Sequence, residues 1–341
     1  MYIFVLFLTK TLPLTMKRLF KILLFALGAV ILFVGAFVLY IQIKGIPKYP
    51  VEMSDAIKNM KVPLDSAHIA EGKRISSMLC RECHYSAETQ KLTGSFRADI
   101  PKEFGDTYSL NITQDKTNGI GNWSDGELYY FLRTGIRPQT GQYVPPFMPK
   151  FPRMSEEDIQ SVIAWLRSPD PELAADPSEF PPSKPNFLIK FLCNVAFGPL
   201  PLPTQPIMEP DTTNQVALGK YVADGMIGCF GCHSADLKTL NDLEPEKTPG
   251  FYGGGTVMLD LDGKTSVTTA NITMDKETGI GNWTEQQFVD AVRYCKKPQG
   301  GLLHYPMIPH AGLSETEVKA VFAYLKTVPV IQHQVPRFQE K

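Results

Sequence analysis

The hydrophobic pattern changes character twice along the chain. From Ile22 to Ile41 no charged or strongly polar residue interrupts it, and about 20 helical residues span roughly 30 Å, one hydrocarbon core. A membrane helix over residues 22–43 is predicted. Beyond it the apolar positions fall into short helical stripes: Ile159, Val162, Ile163 and Leu166, and later Val318, Val321, Phe322 and Leu325, each at three- and four-residue steps. Ser155 and Ser314 open these helices, with Glu317 completing a capping box. Ser124 with Glu127 and Thr284 with Gln287 form the same box ahead of another pair. Strand signals are sparse. Residues 256–269, where Asp262-Gly263 separates short alternating runs, predict a hairpin inserted in the second half. The expected fold class is all-α.

The stripes recur because the chain repeats itself. Residues 80–84 read CRECH and 229–233 read CFGCH; 111–123 read NITQDKTNGIGNW and 271–283 read NITMDKETGIGNW; SEEDIQSVIAWLR at 155–167 is echoed by SETEVKAVFAYLK at 314–326. The order is the same in both halves, which predicts two copies of one domain, at residues 65–170 and 214–330. Between them, residues 171–213 form a Pro-rich linker. Pro169 to Pro210 holds 11 of the 28 prolines, a density that excludes long helices and favours an extended connector. Within it the proline-free, apolar stretch Asn186–Gly198 is expected to cover one of the domains, with a membrane or partner contact as the alternative.

Composition adds a location. A formal net charge of -1 gives no reason to expect nucleic acid. Lys17, Arg18 and Lys21 before the apolar run favour a cytoplasmic N-terminus over residues 1–21, although Lys44 and Lys48 follow it. A cleaved signal peptide competes, with Val34-Gly35-Ala36 as its cleavage site. The continuation of the run through Phe37–Ile41 favours an uncleaved anchor. Either way residues 65–330 are exported.

Both pentapeptides fit C-x-x-C-H, the attachment signal for c-type haem. Two thiols three residues apart on a helical turn can each bond a vinyl group of one porphyrin, which sets the next histidine under the iron. Cys80 and Cys83 with His84, and Cys229 and Cys232 with His233, thus predict two covalently attached haems c. A zinc site would want four ligands per metal, and neither motif has a second pair nearby. The sixth ligand is read from the repeat. Met148 and Met307 each lie seven residues before the serine that opens the last helix, and no other methionine has a methionine counterpart. Thioether sulfur favours ferrous iron and raises the potential. His304 and His310 flank Met307 but face Pro145 and Phe151 in the first repeat. Trp123 and Trp283 are in register and are candidates for packing against, or donating to, the porphyrin. Cys193 and Cys295 could pair in an oxidising compartment.

In its order of C-x-x-C-H, NIT-x-D-x-x-x-GIGNW and a methionine before the last helix, the chain resembles tandem class I cytochrome c domains. It is similar to the haem c subunits of membrane-bound alcohol and gluconate dehydrogenases. The resemblance implies a di-haem electron carrier on the periplasmic side of a bacterial cytoplasmic membrane. It would take electrons from a dehydrogenase or quinol and pass them to an oxidase or another cytochrome. Those subunits carry three haem motifs where this chain has two, and Met307 is followed by Ile308 before Pro309. The rival reading is an enzyme, such as a two-haem peroxidase with one labile axial ligand. Two methionines in register favour an electron-transfer protein, or the cytochrome subunit of an oxidoreductase complex, over a catalyst.

Overall fold

The computed structural model describes residues 14–336; the remainder of the predicted N-terminal segment, residues 1–13, lies outside them. The first element, α1 (Leu14–Lys44), contains the apolar run, with Phe25, Leu32 and Phe33 among its exposed side chains. By length and composition it passes for a membrane span and equally for a signal sequence.

The rest is helix-rich. In the first repeat, α2 (Ser66–Leu79) leads into a one-turn helix Arg81–His84, then α3 (Asp125–Thr134) and α4 (Glu156–Leu166). The connector carries α5 (Phe187–Val195). The second repeat follows the same order with α6 (Gln215–Lys220), the one-turn helix Cys229–His233, α7 (Glu285–Tyr294) and α8 (Glu315–Leu325). All three predicted capping boxes form, at Ser124, Thr284 and Ser314, and both predicted stripes are buried. Among the described residues the strands form two short antiparallel ladders, Gly105–Asp106 against Lys184–Pro185 and Val257–Leu259 against Ser266–Thr268, with a few isolated bridges besides.

In each repeat the first and last helices cross at a glycine. A Cβ on Gly72 would collide with the carbonyl of Ser161, and one on Gly219 with that of Ala320. Only a residue without a side chain lets α2 meet α4, and α6 meet α8, at backbone contact.

The hairpin at 256–269 is present, but it is not the insertion. The first repeat has a looser turn at the same place, with Phe96 bridging Tyr108. The extra residues come earlier. The Gly94 N–H donates to the His84 carbonyl (2.8 Å) ten residues away, whereas Gly254 makes the same bond to His233 (2.8 Å) across twenty-one. The first repeat has no Asp-Gly at its turn, which is why its counterpart gave no signal.

The connector is stapled to the first repeat. Leu173 is fully buried, its carbonyl accepts from the Gln114 N–H (2.9 Å), and Asn111 Nδ2 donates to Asp176 O (2.8 Å). The repeats also meet directly. Arg74 donates to Gly312 O (3.0 Å) and Glu317 (3.1 Å), Tyr221 donates to Asp158, and Tyr305 donates to Asp99 (2.8 Å). One hydrophobic cluster runs through both. Cys193 and Cys295 are both free and buried; no disulfide joins them.

Candidate functional site

The two C-x-x-C-H turns are built alike. In the first, the Cys83 and His84 N–H groups donate to Cys80 O (3.2 and 3.0 Å), closing one helical turn that brings both thiols and the imidazole together. Each histidine points Nδ1 at a backbone carbonyl in the loop ahead of the NIT block: His84 at Leu110 O (2.6 Å) and His233 at Ala270 O (2.8 Å). A carbonyl can only accept, so the proton sits on Nδ1 and Nε2 keeps its lone pair. Burial lowers both imidazole pKa values, against the opposing carbonyl bond, and holds them neutral. Burial also pushes the thiols up, Cys80 to about 11 and Cys229 to about 12. Cys83 and Cys232 shift the same way for the same reason.

The NIT-x-D-x-x-x-GIGNW block owes its spelling to its own fold. The Asn111 and Asn271 side chains accept from the N–H of Thr113 and Thr273 (2.9 Å each). Asp115 and Asp275 accept from the backbone two and three residues on. Asn122 and Asn282 donate to Lys116 O and Lys276 O (2.7 Å each). Gly119 and Gly279 lie where a Cβ would strike the Thr113 and Thr273 carbonyls. The loop ends in half-buried Trp123 and Trp283, whose backbone N–H groups donate to Ile120 O and Ile280 O (3.1 and 2.9 Å).

Met148 and Met307 occupy the same turn. Their N–H groups donate three residues back, to Pro145 O (3.2 Å) and His304 O (3.0 Å), and each loop is then tied to the preceding helix, Phe151 to Leu132 and His310 to Val292 (2.9 Å each). Both methionines are half-buried. His310 Nδ1 is buried without a partner, and burial, with His233 among the lesser causes, lowers its pKa. Pattern reading missed Arg133, which is fully buried and donates to Phe151 O and Met154 O (2.8 Å each) and to Glu156 (2.9 Å). Its register with Arg293 in the second repeat was the available signal. It also missed Asp224, on a π-helical turn, Tyr221–Met226, where the Ile227 N–H donates to Val222 O (3.0 Å). Ten residues separate Gly219 from Cys229 but eight separate Gly72 from Cys80; this turn and left-handed Gly228 (φ 77°) absorb the difference. Asp224 is buried and accepts from Tyr252 (2.5 Å), Tyr324 (2.8 Å) and Lys220 (2.9 Å).

Residues 69–170 match the cytochrome c family and constitute a cytochrome c domain, a class that carries covalently bound haem c. Over a longer stretch the chain is similar to three curated proteins. It is 26% identical over 284 residues to the cytochrome c subunit of alcohol dehydrogenase (quinone) from Gluconacetobacter polyoxogenes, covering 78% of this chain and 57% of that one. It is 26% identical to the gluconate 2-dehydrogenase cytochrome c subunit of Pantoea cypripedii, covering 73% and 56%. To a diheme cytochrome c-type protein of Cereibacter sphaeroides it is 24% identical, covering 74% and 83%. The chain thus spans a little over half the length of the two dehydrogenase subunits.

The residues fit the group this class carries. A buried neutral imidazole with a free Nε2 is a ready iron ligand. Each turn presents two thiols beside the imidazole, the pair that a porphyrin's two vinyl groups require. Among the described residues no set of three or more His, Cys, Asp or Glu side chains is placed to hold a metal ion without a porphyrin.

Proposed function

We propose that the chain is a membrane-anchored, di-haem c-type cytochrome that relays electrons without a reaction of its own. It would be held on the periplasmic side of a bacterial cytoplasmic membrane by residues 22–43. Residues 65–170 and 214–330 are its two haem domains and 171–213 their connector. Cys80 and Cys83, and Cys229 and Cys232, form the thioethers; His84 and His233 are the proximal ligands and Met148 and Met307 the distal ones. Trp123 and Trp283 border the two porphyrins. Iron porphyrin supplies the one-electron ferric/ferrous couple. The chain orients each imidazole through a carbonyl, keeps it neutral, and excludes water by burial. The donor is a dehydrogenase or quinol, in keeping with the names of the similar dehydrogenase subunits, and the acceptor an oxidase or another cytochrome.

The observation that carries this reading is the identical histidine-to-carbonyl bond in both repeats, since a structural histidine needs no free Nε2 twice in register. The test is a mass and pyridine-haemochrome measurement on the exported protein, followed by redox titration of Met148→Ala and Met307→Ala. Two haems, and a lowered potential with carbon monoxide binding in each variant, are expected. A single haem, or a variant with an unchanged titration, overturns the corresponding assignment. Sustained turnover of hydrogen peroxide with a donor cytochrome would favour the peroxidase instead.

A further inference from the structure

We infer that α5 is a second membrane contact. It lies in the headgroup–acyl boundary of the bilayer beside α1 and holds the Met148 loop of the first repeat towards the lipid surface. This rests on α1 being a retained anchor. The helix is apolar on two sides. Ile189 and Cys193, each 1% exposed, face inward onto Tyr143, Phe104 and Phe147. Phe187, Leu188, Phe191, Leu192 and Val195 share the opposite arc, with Leu188 39% and Val195 58% exposed. A helix with two apolar faces needs a second apolar surrounding.

Its position names that surrounding. The Phe191 ring meets Phe37 of α1 edge-on with centroids 6.1 Å apart. Phe37 lies four residues inside the end of the uncharged run, about 6 Å below Ile41 at helical rise. Higher up, Lys190 Nζ donates to Gln42 (2.7 Å) and Asn194 Nδ2 to Gly45 O (2.9 Å). The polar atoms of α5 therefore stand level with Gln42–Gly45, where α1 leaves the hydrocarbon, while its aromatic face stands level with Phe37. Lys44 and Lys48 line a cleft beside Asn194 at the same height, positioned for lipid phosphates. On the inward side, Phe147, next to Met148, packs on Phe104 with centroids 5.3 Å apart. The continuity runs from bilayer to α5 to the Met148 loop.

Spin labelling of the full-length protein in phosphatidylcholine–phosphatidylglycerol vesicles tests this, with the unsubstituted chain labelled in parallel as background. Labels go on Leu27→Cys in α1, Leu188→Cys and Val195→Cys in α5, and Leu237→Cys as an aqueous reference; all four side chains are exposed. The readout is collision with oxygen against a water-soluble nickel chelate. Oxygen should exceed nickel several-fold at Leu27 and, at shallower depth, at Leu188 and Val195, and not at Leu237. Water-like collision at Leu188 and Val195 with lipid-like collision at Leu27 overturns the inference and leaves the anchor standing. Low collision with both reagents at the α5 positions means that a protein covers the face, and also overturns it. Water-like collision at Leu27 overturns the anchor itself.

Discussion

Arg133→Met is the perturbation that best separates the two repeats. In the parent the guanidinium is 0% exposed and donates to two carbonyls of the segment between Met148 and α4, both at 2.8 Å, and to Glu156 at 2.9 Å. Methionine refills most of the space, so little cavity cost is expected. Two buried acceptors then lose their donor, at about 1–3 kcal/mol each. Glu156 loses its ion pair but is partly solvated and keeps the Tyr129 hydroxyl (3.0 Å), so its share is small. The sum is about 2–6 kcal/mol. The second repeat supplies the control. Half-buried Arg293 makes one long bond, 3.5 Å to Ala311 O, and Arg293→Met should cost about 1 kcal/mol or less. Urea unfolding followed by circular dichroism measures the stability difference. The weak red-region band of ferric iron bound to thioether sulfur reports the distal ligand. Arg133→Met should lower the unfolding midpoint and weaken the band of one haem only, and Arg133→Lys should fall between. Equal responses to the two methionine variants, or an Arg133→Met protein within about 0.5 kcal/mol of the parent, would refute the reasoning.

Other consequences can be checked in the same preparation. Gly72→Ala or Gly219→Ala drives a methyl into a backbone carbonyl at a helix crossing and should cost about 1–3 kcal/mol in thermal melts. Burial, then the negative Asp158 and Glu157, push the Glu209 carboxyl up to about 7. The folded state therefore holds that proton more tightly than the unfolded chain, and stability from this group falls as pH rises from the ordinary carboxylate range to about 7. Glu209→Gln should flatten that limb of a melting series, and an unchanged pH slope would count against the burial of Glu209 beside Asp158. Asp224→Asn removes a buried negative charge near the second attachment turn. It should raise the potential of one haem by tens of millivolts, read by spectroelectrochemical titration.

Much of this was legible in the sequence wherever a residue's reason is local. Capping boxes, stripes and the Asn, Asp and Gly positions of the NIT block depend on partners within a few residues, so they repeat faithfully and can be read as pattern. The helix crossings at Gly72 and Gly219 were not legible, because their partners Ser161 and Ala320 lie about a hundred residues away and nothing local marks a glycine as a contact. The hairpin was seen but misplaced as an insertion, since turn chemistry at Asp262-Gly263 is visible while the absence of such a turn near Pro101 conceals an equivalent loop. The connector looked like a spacer because proline density reports backbone stiffness and says nothing of where Leu173 is buried.

What departs from the repeat is then informative in its own right. The two attachment turns share the glycine-to-histidine and isoleucine backbone bonds that lead to the NIT block, Gly94 to His84 and Ile112 to Leu92 in the first, Gly254 to His233 and Ile272 to Tyr252 in the second, yet their charged neighbours differ. In the first, Arg97 Nη1 donates to Glu82 O inside the motif (3.1 Å), tempered by its pair with Asp99 (2.7 Å). In the second, the position of Arg97 is taken by Val257, and the added π turn brings in Asp224 instead, with Lys220 on its outer side. A positive group favours the reduced state of a nearby iron and a negative group the oxidised state. On the proposed ligation, with the same ligand types in both halves, these neighbours would favour a higher potential in the first site than in the second. Electrons would then fall from the second repeat towards the first.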